Sequence, residues 1–552
     1  MTKGLIYLIV QYAYLFLTRL RENWKSGITV SLVSIPLSIS LAIASQTSPL
    51  AGIITAVWAG LVAAIFGGSN YNIIGPTGAL SGILGTFAII HGAETLPTLA
   101  IVSGFLILLA YLLRLEKFLN YVPGSTIQGF TLGVAFIIAF NQLNFIFGLS
   151  GLEKHEHFLD NVKESFLHLS QSSMSSVAVF VVFLAGLFIL AKYMKKIPGA
   201  ITLTPFGIAL GYLTTMHLLP FSLETLGSRY GDLQLSLYTA PKFFLDYSVF
   251  SAAFTVAVVA ILETMISAKI ADGMTKTKHK PRKEMFGLGL ANIASGIMGG
   301  IPATAALART SVNAKSGATS NVSAIISSIS IAVICVFLLS FFKFIPMAVI
   351  AAILVFAAVR MIEVHELRNM IRHDWIGLGI ALIVFAITIY SDPLIGILAG
   401  TVISLLMFVH KVSQGQYEVT LNDHKKGVIK RLTEEMDESV AQPHDTLVYS
   451  INGTLVYINS QAHIARFEGG TKGYNNVILR LRELHFIDRD GVDALDEIID
   501  LIHEQGKKVL ISSANNQVAK ILDRDCEVYQ QLKKQGLVFK STEDALAYLK
   551  KK

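Results

Sequence analysis

The sequence predicts a polytopic α-helical membrane protein with a soluble α/β domain at its C-terminal end. Three observations lead there. The 552 residues are 53% hydrophobic and only 15% charged, with mean hydropathy +0.58, where a soluble chain would carry about 25% charged residues. The apolar residues fall in long blocks almost free of charge. Within those blocks, a short break rich in Gly and Pro occurs twice.

The chain begins with an apolar stretch, residues 4–17, preceded by Lys3 and followed by Arg19, Arg21 and Lys25 rather than by a small-residue cleavage site. Residues 1–25 are therefore expected to form an interfacial helix rather than a signal peptide. Charge-poor blocks follow at 28–44, 52–66, 99–113, 127–147, 177–191, 249–261, 322–341, 347–359, 376–389 and 394–409. Several approach the roughly 20 residues that span a bilayer. With two short half-helices at the breaks, the expected total is about fourteen segments within residues 26–411. Basic residues collect between blocks: Arg114 and Lys117; Lys192, Lys195 and Lys196; Lys276, Lys278, Lys280, Arg282 and Lys283. The positive-inside bias places these connections in the cytoplasm, together with both termini.

The first break reads Phe66-Gly-Gly-Ser-Asn-Tyr-Asn-Ile-Ile-Gly-Pro-Thr-Gly-Ala-Leu80. The second reads Met298-Gly-Gly-Ile-Pro-Ala-Thr-Ala-Ala-Leu307. Unpaired backbone at membrane depth is tolerated only where it is covered by protein or lines a cavity. Paired interruptions in two halves of a chain point to a substrate site near the midplane. If each half holds seven segments, an odd number, the halves are inverted and the broken helices meet from opposite sides. A helix start in such a place offers backbone N–H groups and a positive dipole end to an anion. Thr77, Gly78, Ala79 and Leu80 are the candidate donors in the first half, and Thr304, Ala305, Ala306 and Leu307 in the second. The plainer alternative is a pair of kinks with small residues for close packing.

Three side chains stand near these breaks. Arg309 follows the second break, and an intramembrane arginine is costly enough to imply a function, here attraction of an anion. Glu263 is the only acid between Asp246 and Asp272. Beside a bound anion it would be tolerated mainly when protonated, which makes it the candidate proton carrier; alternatively it pairs with Arg309 or Lys269. Pro36 is expected to kink the first span, where Ser34 and Ser38 either line the site or simply pack.

Beyond Lys411 the composition changes. Residues 416–552 are charged, with short strand-like runs at 447–451, 477–481 and 509–512 and amphipathic helices at 491–505 and 517–523, an alternation that gives an α/β domain. Ser541 and Asp544 mark a helix start. Cys335 and Cys526 fall in different regions and suggest no disulfide framework. The formal charge of +7 is spread over connecting loops, which argues against nucleic acid. The histidines show no metal-ligand spacing, and no nucleotide loop, nucleophile motif or catalytic carboxylate pair is present, so neither an enzyme nor a cofactor is expected.

These residues resemble the sulfate permease family of anion transporters. The matching stretches are Pro36 and the helix after it, Gly67-Gly-Ser with Gly75-Pro-Thr-Gly, Glu263 to Asp272, residues 284–292, and Gly299-Gly-Ile-Pro followed by Ala308 to Ala318. The C-terminal part is similar to a STAS domain, with Phe486-Ile-Asp-Arg-Asp-Gly-Val-Asp-Ala-Leu495 in place of that domain's Asp-x-Ser-Gly loop. The resemblance implies a seven-plus-seven inverted repeat with core and gate domains, an elevator-like cycle and a homodimer. It also implies an anion site between the third and tenth segments. Some positions depart from the family. Asp490 stands where the STAS loop has a phosphorylatable serine, and Leu37 where many animal members have glutamine. Sodium-coupled bicarbonate members have an aspartate at the position of Glu263 and a hydroxyl at that of Leu307, so a proton is the expected coupling ion rather than sodium.

The expected function is secondary active transport of a small anion across a bacterial-type inner membrane, with sulfate favoured over bicarbonate or a C4-dicarboxylate. An uncoupled exchanger or channel on the same scaffold is the alternative. A membrane sensor acting through a cytoplasmic partner of the STAS domain is another.

Overall fold

The computed structural model describes residues 2–551 apart from 153, 154, 156, 194–198, 232–236, 244–245, 392, 424–426, 433–444 and 469–473. The basic residues Lys195 and Lys196 lie outside the described residues. The chain divides into two compact units, Met1–Thr401 and Val402–Lys552. The division falls inside the last long apolar helix, Pro393–Ser413, rather than after it.

In the first unit, nine helices among the described residues are long and apolar enough to cross a bilayer, starting with Leu17–Ala44 and ending with Pro393–Ser413. Shorter helices lie between them: Gly78–His91, Gly199–Thr215, Pro281–Ile297, Leu307–Lys315 and Trp375–Tyr390. The first helix runs unbroken from Thr2 to Ala44, so the expected interfacial helix and first span are one element with Pro36 inside it. Small residues let the helices around the breaks approach closely. A Cβ on Gly104 would lie 2.7 Å from the carbonyl oxygen of Gly289, so helices Leu96–Leu112 and Pro281–Ile297 meet backbone to backbone there. Ala59, Ala260, Leu288, Ala291, Ala303 and Ala305 are fully buried in the same cluster.

Both breaks are extended where they face each other. Ile74–Gly75 (β1) and Thr304–Ala305 (β2) form a two-residue antiparallel bridge, with Ile74 opposite Ala305 and Gly75 opposite Thr304. The helices Gly78–His91 and Leu307–Lys315 start just beyond it. Gly299 sits at φ +84°, a conformation that disfavours any residue with a side chain.

The second unit is an α/β domain. Its strands are β3 (Gln416–Asp423), β4 (Gly427–Leu432), β5 (Asp445–Leu455), β6 (Tyr474–Arg480), β7 (Leu484–Ile487), β8 (Lys508–Ser512) and β9 (Val538–Phe539). The sheet order is β4-β3-β5-β6-β8-β9, with β7 pairing to the end of β5. β3 pairs antiparallel with both β4 and β5, and the later pairs are parallel. Val477–Ile478–Leu479 and Val509–Leu510–Ile511 are buried without alternation, as expected for strands covered on both faces. The helices Arg489–Glu504 and Asn516–Asp525 cover the regions expected of them. Ser541 Oγ accepts from the Asp544 amide (3.1 Å) and starts Thr542–Lys550.

Candidate anion site

The site is built from the two breaks and from helix Tyr247–Thr275, which crosses behind both. Glu284 holds the first break. Its carboxylate is 2% exposed and accepts from the amides of Gly68 (2.6 Å) and Ser69 (2.7 Å) and from Asn72 Nδ2 (2.7 Å). The Asn72 side chain also reaches the Thr264 carbonyl (3.2 Å). Ser267 Oγ lies between Asn72 Oδ1 (3.1 Å) and Thr310 Oγ1 (3.0 Å), and Thr310 Oγ1 accepts from the Ile73 amide (3.2 Å).

The second break is held without a charge. Asn292 Nδ2 donates to the Ala303 carbonyl (2.9 Å), and its Oδ1 accepts from the Ala303 amide (2.8 Å). Thr55 Oγ1 accepts from the Ile301 amide (2.7 Å). The bracing is reciprocal. The helix that leads into each break clamps the other one: Glu284 in Pro281–Ile297 grips the first, and Thr55 in Pro49–Phe66 grips the second.

The two helix starts differ from each other in register. In the first, Thr77 is the cap and Gly78, Ala79 and Leu80 make the first turn. Thr77 Oγ1 faces away from the helix amides and donates to Glu263 Oε2 (3.0 Å). In the second, the helix starts at Leu307, after the residues expected to open it. Thr304 and Ala305 lie in β2. The Ala305 amide donates to Thr264 Oγ1 (3.2 Å) and the Ala306 amide to the Ile73 carbonyl (3.3 Å). Thr304 Oγ1 donates to the Ala260 carbonyl (2.9 Å). The bridge thus takes up these groups, and the first-turn donors are Leu307, Ala308 and Arg309. Neither helix has a side-chain cap or an acid in its first turn, so the orphan N–H groups of both are left to another partner.

Arg309 is 1% exposed. Its Nη2 donates to the Pro76 carbonyl, while Nε and Nη1 are buried with no hydrogen-bond partner. The guanidinium lies against Gly75, where a Cβ would stand 2.7 Å from Nη1. Glycine at this position of the first break therefore makes room for the arginine of the second. Ser38 is buried, its hydroxyl is unpartnered, and no hydrogen bond ties it to either helix start; Ser34 is in the same condition. A cavity of about 720 Å³ reaches the first half-helix at Ser81 and Gly82 and is also lined by Asn141, Thr255 and Arg229. Its lining does not include Glu263 or Arg309.

The bridge and the Glu284 clamp were not foreseen. Their signal was present: extended Gly-Pro backbone at membrane depth must find partners, and Glu284 is the one acid of helix Pro281–Ile297, at the edge of its apolar part.

The sulfate permease family pattern matches residues 20–384 and the STAS domain pattern residues 439–545. A relative from Bacillus subtilis (strain 168), named "Putative sulfate transporter YvdB", is 31% identical over 92% of this chain and 94% of its own length. Bicarbonate transporter BicA of Picosynechococcus sp. is 23% identical, over 92% of this chain and 90% of its own. Among solved structures, the murine Slc26a9 anion transporter in the inward-facing state superposes with a TM-score of 0.81 at 14% identity, covering 96% of this chain and 91% of that one. The transmembrane domain of a cyanobacterial BicA gives 0.59 at 21% identity, covering 69% and 97%.

Proposed function

The chain belongs to the sulfate permease family, and from that premise we propose that it is a secondary active transporter that moves a small anion inward together with a proton. The observation that carries this reading is Arg309, buried between two uncapped helix starts with two of its nitrogens unpartnered. A guanidinium and two sets of amides converge where an anion would complete their hydrogen bonding. Sulfate is the favoured cargo, because its four oxygens suit donors arriving from several directions, with bicarbonate or a C4-dicarboxylate as alternatives. The names of the relatives, sulfate and bicarbonate transporters, support that range.

Glu263 is the proposed proton carrier. As a carboxylate it accepts from Thr77, the cap of the first half-helix, and sets a negative charge beside the anion. Protonated, it removes that repulsion. Proton and anion then each favour binding of the other, by the reciprocity of linked sites. The proposed cycle is elevator-like and the proposed working form a homodimer, as the family resemblance implies. An uncoupled channel is the second reading, and single-channel current in a planar bilayer would favour it.

The test is uptake of sulfate, bicarbonate and a C4-dicarboxylate by purified protein in liposomes under imposed proton or sodium gradients. Inward proton gradients should drive uptake. Glu263→Gln should still bind the anion but lose dependence on the proton gradient. Proton-driven uptake that persists unchanged in that variant rules out Glu263 as the carrier.

A further inference from the structure

The helix Val364–His373 joins two apolar helices, Met347–Met361 and Trp375–Tyr390, and none of its residues is buried. At about 100° per residue, Val364, Leu367 and Ile371 share one face. Val364 and Ile371 are exposed, and Trp375, 70% exposed, continues the stripe into the next helix. His365, Arg368 and Arg372 border the stripe along one edge, while Glu366 lies about 160° away from Arg368 around the axis. The other nearby acids are engaged: Glu363 Oε2 accepts from Gln128 Nε2 (2.8 Å), and Asp374 Oδ1 accepts from the Gly377 amide (2.8 Å). Among the described residues, neither Arg368 nor Arg372 has a hydrogen bond or ion pair.

An apolar stripe with a cationic edge and no protein core to rest on is the composition of a helix lying in a headgroup layer. Arg360, at the end of the preceding span, adds a third cation, and this clustering assigns the segment to the cytoplasmic face. We propose that Val364–His373 lies in the cytoplasmic headgroup layer and that Arg368 and Arg372 bind the phosphates of anionic phospholipids. The planar guanidinium fork suits a phosphate diester, and the surface potential of an anionic leaflet draws such cations. The Gln128–Glu363 bond fastens the start of this segment to helix Gly124–Phe140, so the lipid contact bears on a fixed part of the transmembrane unit.

The full-length protein, purified in detergent and offered equal amounts of phosphatidylglycerol and phosphatidylcholine, tests this by native mass spectrometry of retained lipid. Wild type should retain phosphatidylglycerol preferentially. R368Q and R372Q should each lower that preference about fivefold, whereas E366Q should not. Equal retention of the two lipids by wild type, or an unchanged preference in both arginine variants, overturns the proposal. Displacement of phosphatidylglycerol by millimolar inorganic phosphate would also overturn it, since the arginines would then form a free-anion site rather than a membrane contact. The single variants each keep one arginine, so the test does not depend on the double variant folding.

Discussion

Glu284 clamps the first break, and its removal should damage the protein out of proportion to its distance from Arg309. Its two oxygens accept three hydrogen bonds from Gly68, Ser69 and Asn72 in a site closed to water. A hydrogen bond to a charged group contributes about 1.5–3 kcal/mol, and a buried donor left without a partner costs about 1–3 kcal/mol. Glu284→Ala orphans three donors at once, so a loss of about 3–6 kcal/mol is expected after allowing for non-additivity. Glu284→Gln keeps the shape and one acceptor oxygen. That oxygen can serve the two backbone amides, but the new amide nitrogen then faces Asn72 Nδ2, donor against donor. The expected loss is about one charge-assisted bond, roughly 1.5–3 kcal/mol. Thermal unfolding of the purified protein, read beside liposome uptake, separates the cases: the melting temperature should fall in the order wild type, Gln, Ala, and uptake should fall with it. If Glu284→Ala melts with wild type and transports at the same rate, the carboxylate is not what holds the break, and the clamp argument fails.

Gly75→Ala should abolish uptake while sparing expression, because the added methyl would stand 2.7 Å from Arg309 Nη1 and displace the guanidinium from the Pro76 carbonyl; wild-type uptake by this variant would show that Arg309 need not sit there. The C-terminal domain should lose stability in acid through His463. Burial first, then the nearby Arg466 charge, push its imidazole down to about 4, while Nδ1 is held by the Tyr449 hydroxyl (2.8 Å). Below pH 6.5 the unfolded chain takes up a proton that the folded domain refuses, so stability should decline from pH 6.5 toward pH 4, by about 3 kcal/mol in full. His463→Leu should flatten that part of the pH–stability curve, and an unaltered curve would assign the acid sensitivity elsewhere.

The fold class was legible because membrane-spanning helices and buried parallel strands both leave long unmixed apolar runs. The α/β alternation after Lys411 was legible for the same reason, while β3, β4, β7 and β9 were not: they are short, or mix charge with apolar residues, and are strands only because the sheet pairs them. At the site, the duplicated Gly-Pro breaks located both half-helices, since the repetition is harder to explain by two independent kinks. The exact start of the second helix was not legible. Thr304, Ala305 and Ala306 have the small side chains of a helix opening, but pairing with Ile74 and Gly75, residues more than two hundred positions away, draws Thr304 and Ala305 into a strand and leaves Ala306 as the cap. Local propensity cannot report a partner that remote. The same holds for the contact of Arg309 with Gly75, which only the meeting of the two halves creates.

The β1–β2 bridge has a consequence for energetics. It ties the two breaks together, and Arg309 of one half donates to Pro76 of the other, so drawing the two half-helix starts apart would cost the bridge and this bond. If the proposed transport cycle carries the site between compartments with these contacts intact, its geometry is the same on both sides. On that proposal a difference in affinity between the two sides falls to charge, and Glu263 is the carboxyl that the cap of the first half-helix contacts.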